Sequence, residues 1–140
     1  MASTTLYSPA EPLQVACIES QPFGQNSYVV FRRGDDRCLV VDPGFEPGAI
    51  ASWIQAHALQ PVAILLTHGH SDHIAGNAAL RERWPELPIL IGRHDAHKLT
   101  SPEDNLSAAF GLGLVSPPAD RLLDHGDRIG LAGLDLAVRE

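Results

Sequence analysis

The chain has 140 residues, the usual size of one domain, and its 44% apolar and 19% charged residues are typical of a globular protein. The formal net charge of −7 and the lack of a basic patch argue against nucleic acid or an anionic membrane as the partner. No segment has the length of a membrane span or the pattern of a secretory signal, so we expect a cytoplasmic protein.

The first part of the sequence predicts a loose arm and then an antiparallel meander. Residues 1–12 contain two prolines and no periodic pattern, so we expect a flexible arm before a domain that covers 13–140. Three predicted strands follow, PLQVACIES, NSYVVFRR and RCLVVDPG, and the turn RGDD joins the last two. Cys17 and Cys38 lie outside any metal-binding pattern, and we expect two reduced, half-buried thiols.

The middle of the chain predicts alternating helices and strands. EPGAIASWIQAHAL places Ile50, Trp53, Ile54 and His57 at helical spacing, and PVAILLT is a continuous apolar run, as expected for a central strand. HIAGNAALRERW predicts a second helix and LPILIG a further buried strand. This order favours crossover connections, and therefore a layered α/β fold.

The last part predicts weaker elements. RHDAHKL indicates a helical turn, SPEDNLSAAFGLG a capped and then glycine-rich segment, and VSPPAD an irregular loop. DRIGLAGLDLAVRE predicts a hairpin with Gly133 near its turn. We find no internal repeat and no domain boundary.

Three histidines and one aspartate occupy six positions directly after the predicted central strand, in ILLTHGHSDHIAG: His68, His70, Asp72 and His73. Ligands of α/β sheets bind at the carboxyl ends of strands, so the position suits a site. His68 and His70 point the same way and can bind one metal ion, while Asp72 and His73 can bind a second. Imidazole and carboxylate suit zinc, and also iron or manganese.

The remaining histidines are weaker candidates. His57 lies on the predicted core face of its helix, His94 and His97 are three residues apart, and His125 lies in a turn-like segment. None follows the end of a strand as the cluster does, so we expect ordinary surface or packing histidines.

The segment THGHSDHIAG resembles the HxHxDH signature of the metallo-β-lactamase superfamily, and VVDPG and GQNSYVV resemble its preceding strands. SPPADRLLDHGDRI is similar to the loop and strand of the glyoxalase II-like branch, the hydroxyacylglutathione hydrolases. The resemblance runs from about residue 13 to the end. It implies an αββα sandwich, of which this chain would form the N-terminal half.

The resemblance also implies roles for individual residues. His68 and His70 would bind a first zinc ion, and Asp72 and His73 a second, with iron or manganese as alternatives. Asp72 is also the expected catalytic residue. Asp42 would lie beneath the site and orient ligands by hydrogen bonding, although on residue type alone it could equally be a turn former before a proline.

The activity that the resemblance implies is hydrolysis of a small-molecule thioester, such as an acylated glutathione, by a metal-bound hydroxide. An iron-dependent persulfide dioxygenase with one metal resembles the motif equally well, and a truncated, non-catalytic metal-binding module is the third interpretation. In the family, a third histidine, a bridging aspartate and a last histidine follow a strand like LDLAV. Because nothing follows Glu140, we expect a truncated chain with little or no activity of its own. The oligomeric state is left open.

Overall fold

The computed structural model describes residues 2–7 and 11–140, which form three layers. A seven-stranded mixed sheet lies between a layer of helices and a two-stranded hairpin. The strands are β1 (Ser3–Tyr7), β2 (Leu13–Ser20), β3 (Gln25–Arg32), β4 (Arg37–Val41), β5 (Gln60–Leu66), β6 (Ile89–Gly92), β7 (Arg121–Leu123), β8 (Arg128–Leu131) and β9 (Leu134–Ala137). The helices are α1 (Pro47–Ala56), α2 (Ser71–Ile74) and α3 (Asn77–Arg83), with short 3-10 turns at Ala96–Thr100 and Ala108–Phe110.

The strands of the large sheet follow one another in chain order from β1 to β7. The pairs from β1 to β4 are antiparallel, which confirms the predicted meander, and the pairs from β4 to β7 are parallel. Each parallel pair requires a crossover. Helix α1 provides the first crossover, α2 and α3 the second, and the mostly irregular segment 93–120 the third.

Strand β5 is covered on both faces, as its continuous apolar run predicts. Ile64 and Leu66 pack in the core between the sheet and the helices, whereas Ala63 and Leu65 pack toward the hairpin β8–β9. The expected mixed α/β architecture is therefore confirmed. The structure also places β5 inside the sheet, between β4 and β6, and the histidine motif begins at its end.

The hairpin was predicted correctly and the second helix was not. Ala132 and Gly133 both have positive φ, 54° and 70°, as a two-residue hairpin turn requires. The single helix expected over 73–84 is instead two short helices that are separated at Gly76. The backbone N–H of Gly76 donates to Pro43 O at 2.9 Å, and a Cβ at this position would lie 2.8 Å from Gly44 O. This close approach to the loop after β4 interrupts the helix.

The expectation of a loose arm is wrong for residues 3–7. They form β1, which pairs antiparallel with β2 from Ser3↔Glu19 to Tyr7↔Val15. All five side chains of β1 are exposed, so the strand is held by backbone pairing without the burial pattern that identifies a strand from sequence. Residues 1 and 8–10 of the predicted arm lie outside the described residues.

Cys17 and Cys38 are free thiols, and both are buried, which corrects the expectation that they are half-buried. Burial raises the pKa of Cys38 to about 12, and burial, followed by the charge of Glu19, raises the pKa of Cys17. Both side chains therefore act as small apolar groups in the core.

Helix α1 buries Ile50 and Ile54, while Trp53 is half-buried and His57 is exposed just beyond the helix. The predicted core position of His57 is therefore wrong: its ring stacks on Trp53 with centroids 3.7 Å apart.

Among the described residues, no helix has both the length and the apolar content needed to cross a bilayer.

Candidate metal centre

All five residues predicted for the site lie together at the carboxyl ends of β4 and β5. Asp42 directly follows β4, His68 lies just beyond β5, and α2 begins immediately after His70. This is the edge of a parallel sheet at which ligands bind.

The three histidine rings form a compact group. The ring centroid of His68 lies 4.7 Å from that of His70 and 4.1 Å from that of His73. Asp72 joins the group through His73, with 3.7 Å between its Oδ2 and Nε2 of the ring. Ligand atoms of Asp42, His68 and His73 all lie within 4.8 Å of one another. The structure thus brings together the side chains that could hold metal.

Asp42 lies beneath this group and is only 3% exposed. Its Oδ1 accepts a hydrogen bond from Thr67 N at 2.8 Å, and its Oδ2 accepts from Thr67 Oγ1 at 2.6 Å and from His73 Nδ1 at 2.9 Å. Both carboxylate oxygens are therefore occupied by donors. This arrangement suits a residue that orients His73 better than one that binds an ion directly.

The hydrogen-bond partners assign the tautomers of two rings. Because Thr67 Oγ1 donates its hydrogen to Asp42, it must accept from His68 Nδ1, which is 2.9 Å away. His73 Nδ1 likewise donates to Asp42. Both rings therefore keep a proton on Nδ1 and present Nε2 as the ligand atom.

The two rings differ in how easily they take up a second proton. The hydrogen bond to Asp42 raises the pKa of His73, whereas burial, followed by the nearby rings of His73 and His70, lowers the pKa of His68. His68 is therefore neutral and available to a metal at pH 7. The raised pKa makes the ring of His73 more basic, so protons compete with a metal for Nε2 of His73 more strongly than for Nε2 of His68.

The donor set fits a divalent ion. The 3.7 Å between His73 Nε2 and Asp72 Oδ2 is too long for a hydrogen bond. It is close to the roughly 3.3–3.6 Å that separates two ligands of one tetrahedral ion bound at about 2.0–2.2 Å. Imidazole and carboxylate donors of this kind suit zinc, iron or manganese.

A buried polar network holds the loop that carries Asp42. Gln25 Nε2 and Ser27 Oγ each donate to the backbone oxygen of Asp42 at 2.8 Å, and Gly44 N donates to Ser27 Oγ at 3.1 Å. Sequence analysis did not identify Gln25 and Ser27. A signal was present, because these polar residues alternate along β3 in phase with the buried Val29.

Asp95 supports the loop between His68 and His70, and sequence analysis missed it as well. Its Oδ2 accepts a hydrogen bond from Gly69 N at 2.9 Å, and its Oδ1 lies 3.0 Å from Lys98 Nζ. Burial alone would raise the pKa of Asp95, but the Gly69 hydrogen bond and Lys98 outweigh it and lower this pKa. Asp95 is therefore a carboxylate that anchors the histidine loop.

The other histidines lie outside the cluster. His57 stacks on Trp53, and Nε2 of the exposed His97 lies 3.8 Å from Asp104 Oδ2. His94 is exposed, and His125, also exposed, accepts a hydrogen bond from Glu140 N.

We expect Asp95→Ala to weaken zinc binding by about tenfold, because an anchor of this kind typically changes metal affinity 10–100-fold. Asp95→Asn, which retains an oxygen acceptor for Gly69 N–H, should stay within about threefold of the parent chain. Competition with a chelating dye measures both affinities. Asp104→Ala, which removes an exposed carboxylate beside His97, is the matched control. Unchanged affinity in Asp95→Ala would show that the anchor is dispensable.

Comparison with known proteins agrees with this geometry. The family model for the metallo-beta-lactamase superfamily matches residues 20–140. A probable metallo-hydrolase of Bacillus subtilis, YqgX, is 34% identical over 116 residues, which are 82% of this chain and 54% of that protein. The hydroxyacylglutathione hydrolase of Erwinia tasmaniensis is 34% identical over 122 residues, 86% of this chain and 41% of the enzyme. The chain thus spans about half the length of these curated relatives.

Solved structures show the same fold. The crystal structure of the B3 metallo-beta-lactamase BLEG-1 superposes with a TM-score of 0.79 at 29% identity, covering 86% of this chain and 58% of that one. TTHA1623 in a di-iron-bound form superposes with a TM-score of 0.67 at 33% identity, covering 81% and 56%. The fold, the motif and the family match lead to one conclusion: the chain belongs to the metallo-β-lactamase superfamily.

Proposed function

We propose that this chain carries the metal centre of a hydrolase that cleaves thioesters of the hydroxyacylglutathione type. The observation that carries the proposal is the cluster at the end of β5, which consists of His68, His70, Asp72 and His73. Asp42 lies beneath the cluster and accepts a hydrogen bond from His73. Hydroxyacylglutathione hydrolases that are 34–35% identical over 118–122 residues support this substrate class.

In this proposal His68 and His70 hold one ion, and Asp72 and His73 hold a second. Zinc is the expected metal, with iron or manganese as alternatives. When bound, the metal polarises the thioester carbonyl and lowers the pKa of water, so that a nucleophile is available at neutral pH. Asp72, which also borders a hollow of 180 Å³ beside the histidine rings, is the residue of the cluster expected to meet the substrate.

The supporting residues preorganise these ligands. Asp42 keeps the proton of His73 on Nδ1 and so directs Nε2 toward Asp72. Asp95 holds Gly69 N–H and thereby limits the movement of the loop between the first two histidines. A net charge of −7 favours a small-molecule substrate over a polyanionic partner, and we place the protein in the cytoplasm.

An iron-dependent persulfide dioxygenase with one metal is the second candidate, and one observation favours it. Two histidines and one carboxylate, His68, His73 and Asp42, approach within 4.8 Å, and this set is typical of non-haem iron oxygenases. The hydrogen bonds that already occupy both Asp42 oxygens argue against Asp42 as an iron ligand and so weaken this candidate. A metal-binding module without catalysis is the third interpretation.

Incubation of the zinc-loaded chain with S-lactoylglutathione tests the proposal. We expect slow thioester cleavage that stops on chelation and in His73→Ala. The rate should lie far below the ordinary enzymatic range of about 1–1000 per second, because the chain spans about half the length of the curated relatives it matches. Turnover within that range would show that the residues present here are sufficient for catalysis. Equal rates in the parent chain and His73→Ala, or oxygen uptake with glutathione persulfide by the iron-loaded chain, would contradict the hydrolase.

A further inference from the structure

A hollow of 180 Å³ opens directly beside the proposed metal ligands. Two of the predicted ligands, His70 and Asp72, form one wall. The apolar wall consists of Phe23, from the turn between β2 and β3, and Leu106 and Phe110, from the segment between β6 and β7. Ser71 and Asn105 complete the lining. A group in this hollow would therefore touch the metal ligands and an apolar surface at the same time.

The apolar wall is unusually exposed for its composition. Phe23 is 46% exposed, Leu106 46% and Phe110 61%. The ring of Phe23 packs against Phe110 at 5.4 Å and against Phe45 at 5.6 Å between centroids, so the aromatic side chains form one continuous surface. Contiguous apolar surface beside polar groups is typical of a binding site.

The segment that carries this wall is held firmly against the site. Asn105 is fully buried, and its Nδ2 donates to the backbone oxygens of Lys98 and Leu114, each at 3.0 Å. Its own backbone oxygen accepts a hydrogen bond from Ser71 N, at the start of α2, at 2.8 Å. Leu106, the next residue, has φ of 70°, a strained value for a residue with a side chain.

We propose that this hollow binds an apolar acyl group of the substrate, about the size of a phenyl ring or a short branched chain. The inference rests on the proposed thioester hydrolysis and names its acyl specificity. A cavity of about 150 Å³ accommodates benzene, so a volume of 180 Å³ suits a group of that size. A glutathionyl group is larger and carries several charges, which the aromatic wall cannot satisfy. The acyl side of the thioester therefore enters the hollow, and the thiol carrier points away from it.

Binding of two product-like acids to the zinc-loaded whole chain tests this proposal without requiring turnover. Lactate and mandelate share the 2-hydroxy acid group and differ in a methyl and a phenyl substituent. We expect mandelate to bind at least tenfold more tightly in calorimetric titrations, since even one methylene in an apolar pocket changes affinity about 10–200-fold. Phe110→Ala and Phe23→Ala should reduce this ratio to below threefold. Leu122→Ala, which shortens an exposed apolar side chain on β7, is the control and should preserve the ratio.

The outcomes separate this inference from the proposed function. A tenfold preference for mandelate over lactate that both phenylalanine variants abolish supports binding of the acyl group in the hollow, even if no thioester is cleaved. Equal affinity for the two acids, or a preference that survives in Phe110→Ala, overturns it, even if thioesters are cleaved. A lowered melting temperature in Phe110→Ala with an unchanged ratio would identify the aromatic surface as a packing surface and would also overturn the proposal.

Discussion

Gly44→Ala should destabilise the protein by about 3 kcal/mol, at the upper end of the usual effect of overpacking, and should weaken metal binding at the same time. A Cβ at this position would lie 2.2 Å from Gln25 Oε1, 2.6 Å from Ser20 Oγ and 2.9 Å from the backbone oxygen of Asp72. Ser20 donates to Gln25, and Gln25 holds the backbone of Asp42, so neither side chain moves freely. The substitution would therefore displace the loop under the site. In a chain of this length the melting temperature should fall by roughly 10 °C.

Gly48→Ala is the matched control. Gly48 lies in the first turn of α1, and a Cβ there would meet no other atom within 4 Å. Because alanine is favoured over glycine in a helix by about 1 kcal/mol, this variant should melt at or slightly above the temperature of the parent chain. If Gly44→Ala melts within 2 °C of Gly48→Ala, the close packing of the loop against α2 does not exist in solution.

Removal of a cluster histidine should have the second large effect, on metal content. Structural zinc sites bind with about 10–16 kcal/mol, so one of four ligands contributes on the order of 3 kcal/mol, or about 100-fold in affinity. We expect His68→Ala and His70→Ala each to lose, after dialysis, most of the zinc that is bound at the first of the two proposed positions, the one held by His68 and His70. Elemental analysis of the dialysed protein gives the metal content directly.

His125→Ala serves as the control for these variants. His125 is exposed, lies outside the cluster and contacts the backbone N–H of Glu140. Its removal should leave the zinc content unchanged. Equal losses in all three variants would refute the assignment of His68 and His70 as ligands.

Much of the fold could be predicted from patterns that depend on burial. The apolar runs of β4 and β5 and the helical spacing of Ile50 and Ile54 all reflect side chains that face one of the two cores. Elements that lack this signal were missed. Strand β1 exposes every side chain, and β7 has three residues of which only Leu123 is buried.

The candidate site could be predicted where its residues are adjacent in sequence. The motif from His68 to His73 is visible in one segment, and a family resemblance indicated Asp42. Asp95 was missed because its partner Gly69 lies 26 residues away and contributes only a backbone N–H, which no sequence pattern records. The division of the second helix at Gly76 likewise depends on a contact with the loop after β4. Such long-range backbone contacts become visible only once the chain is folded.

X-ray absorption at the zinc edge of the zinc-loaded chain would determine directly whether the histidine cluster is a metal centre. We expect nitrogen and oxygen ligands at about 2.0–2.2 Å, with outer-shell scattering from the imidazole rings of His68, His70 and His73. A sulfur shell near 2.3 Å, which would indicate Cys17 or Cys38, or a spectrum without imidazole scattering would contradict this expectation.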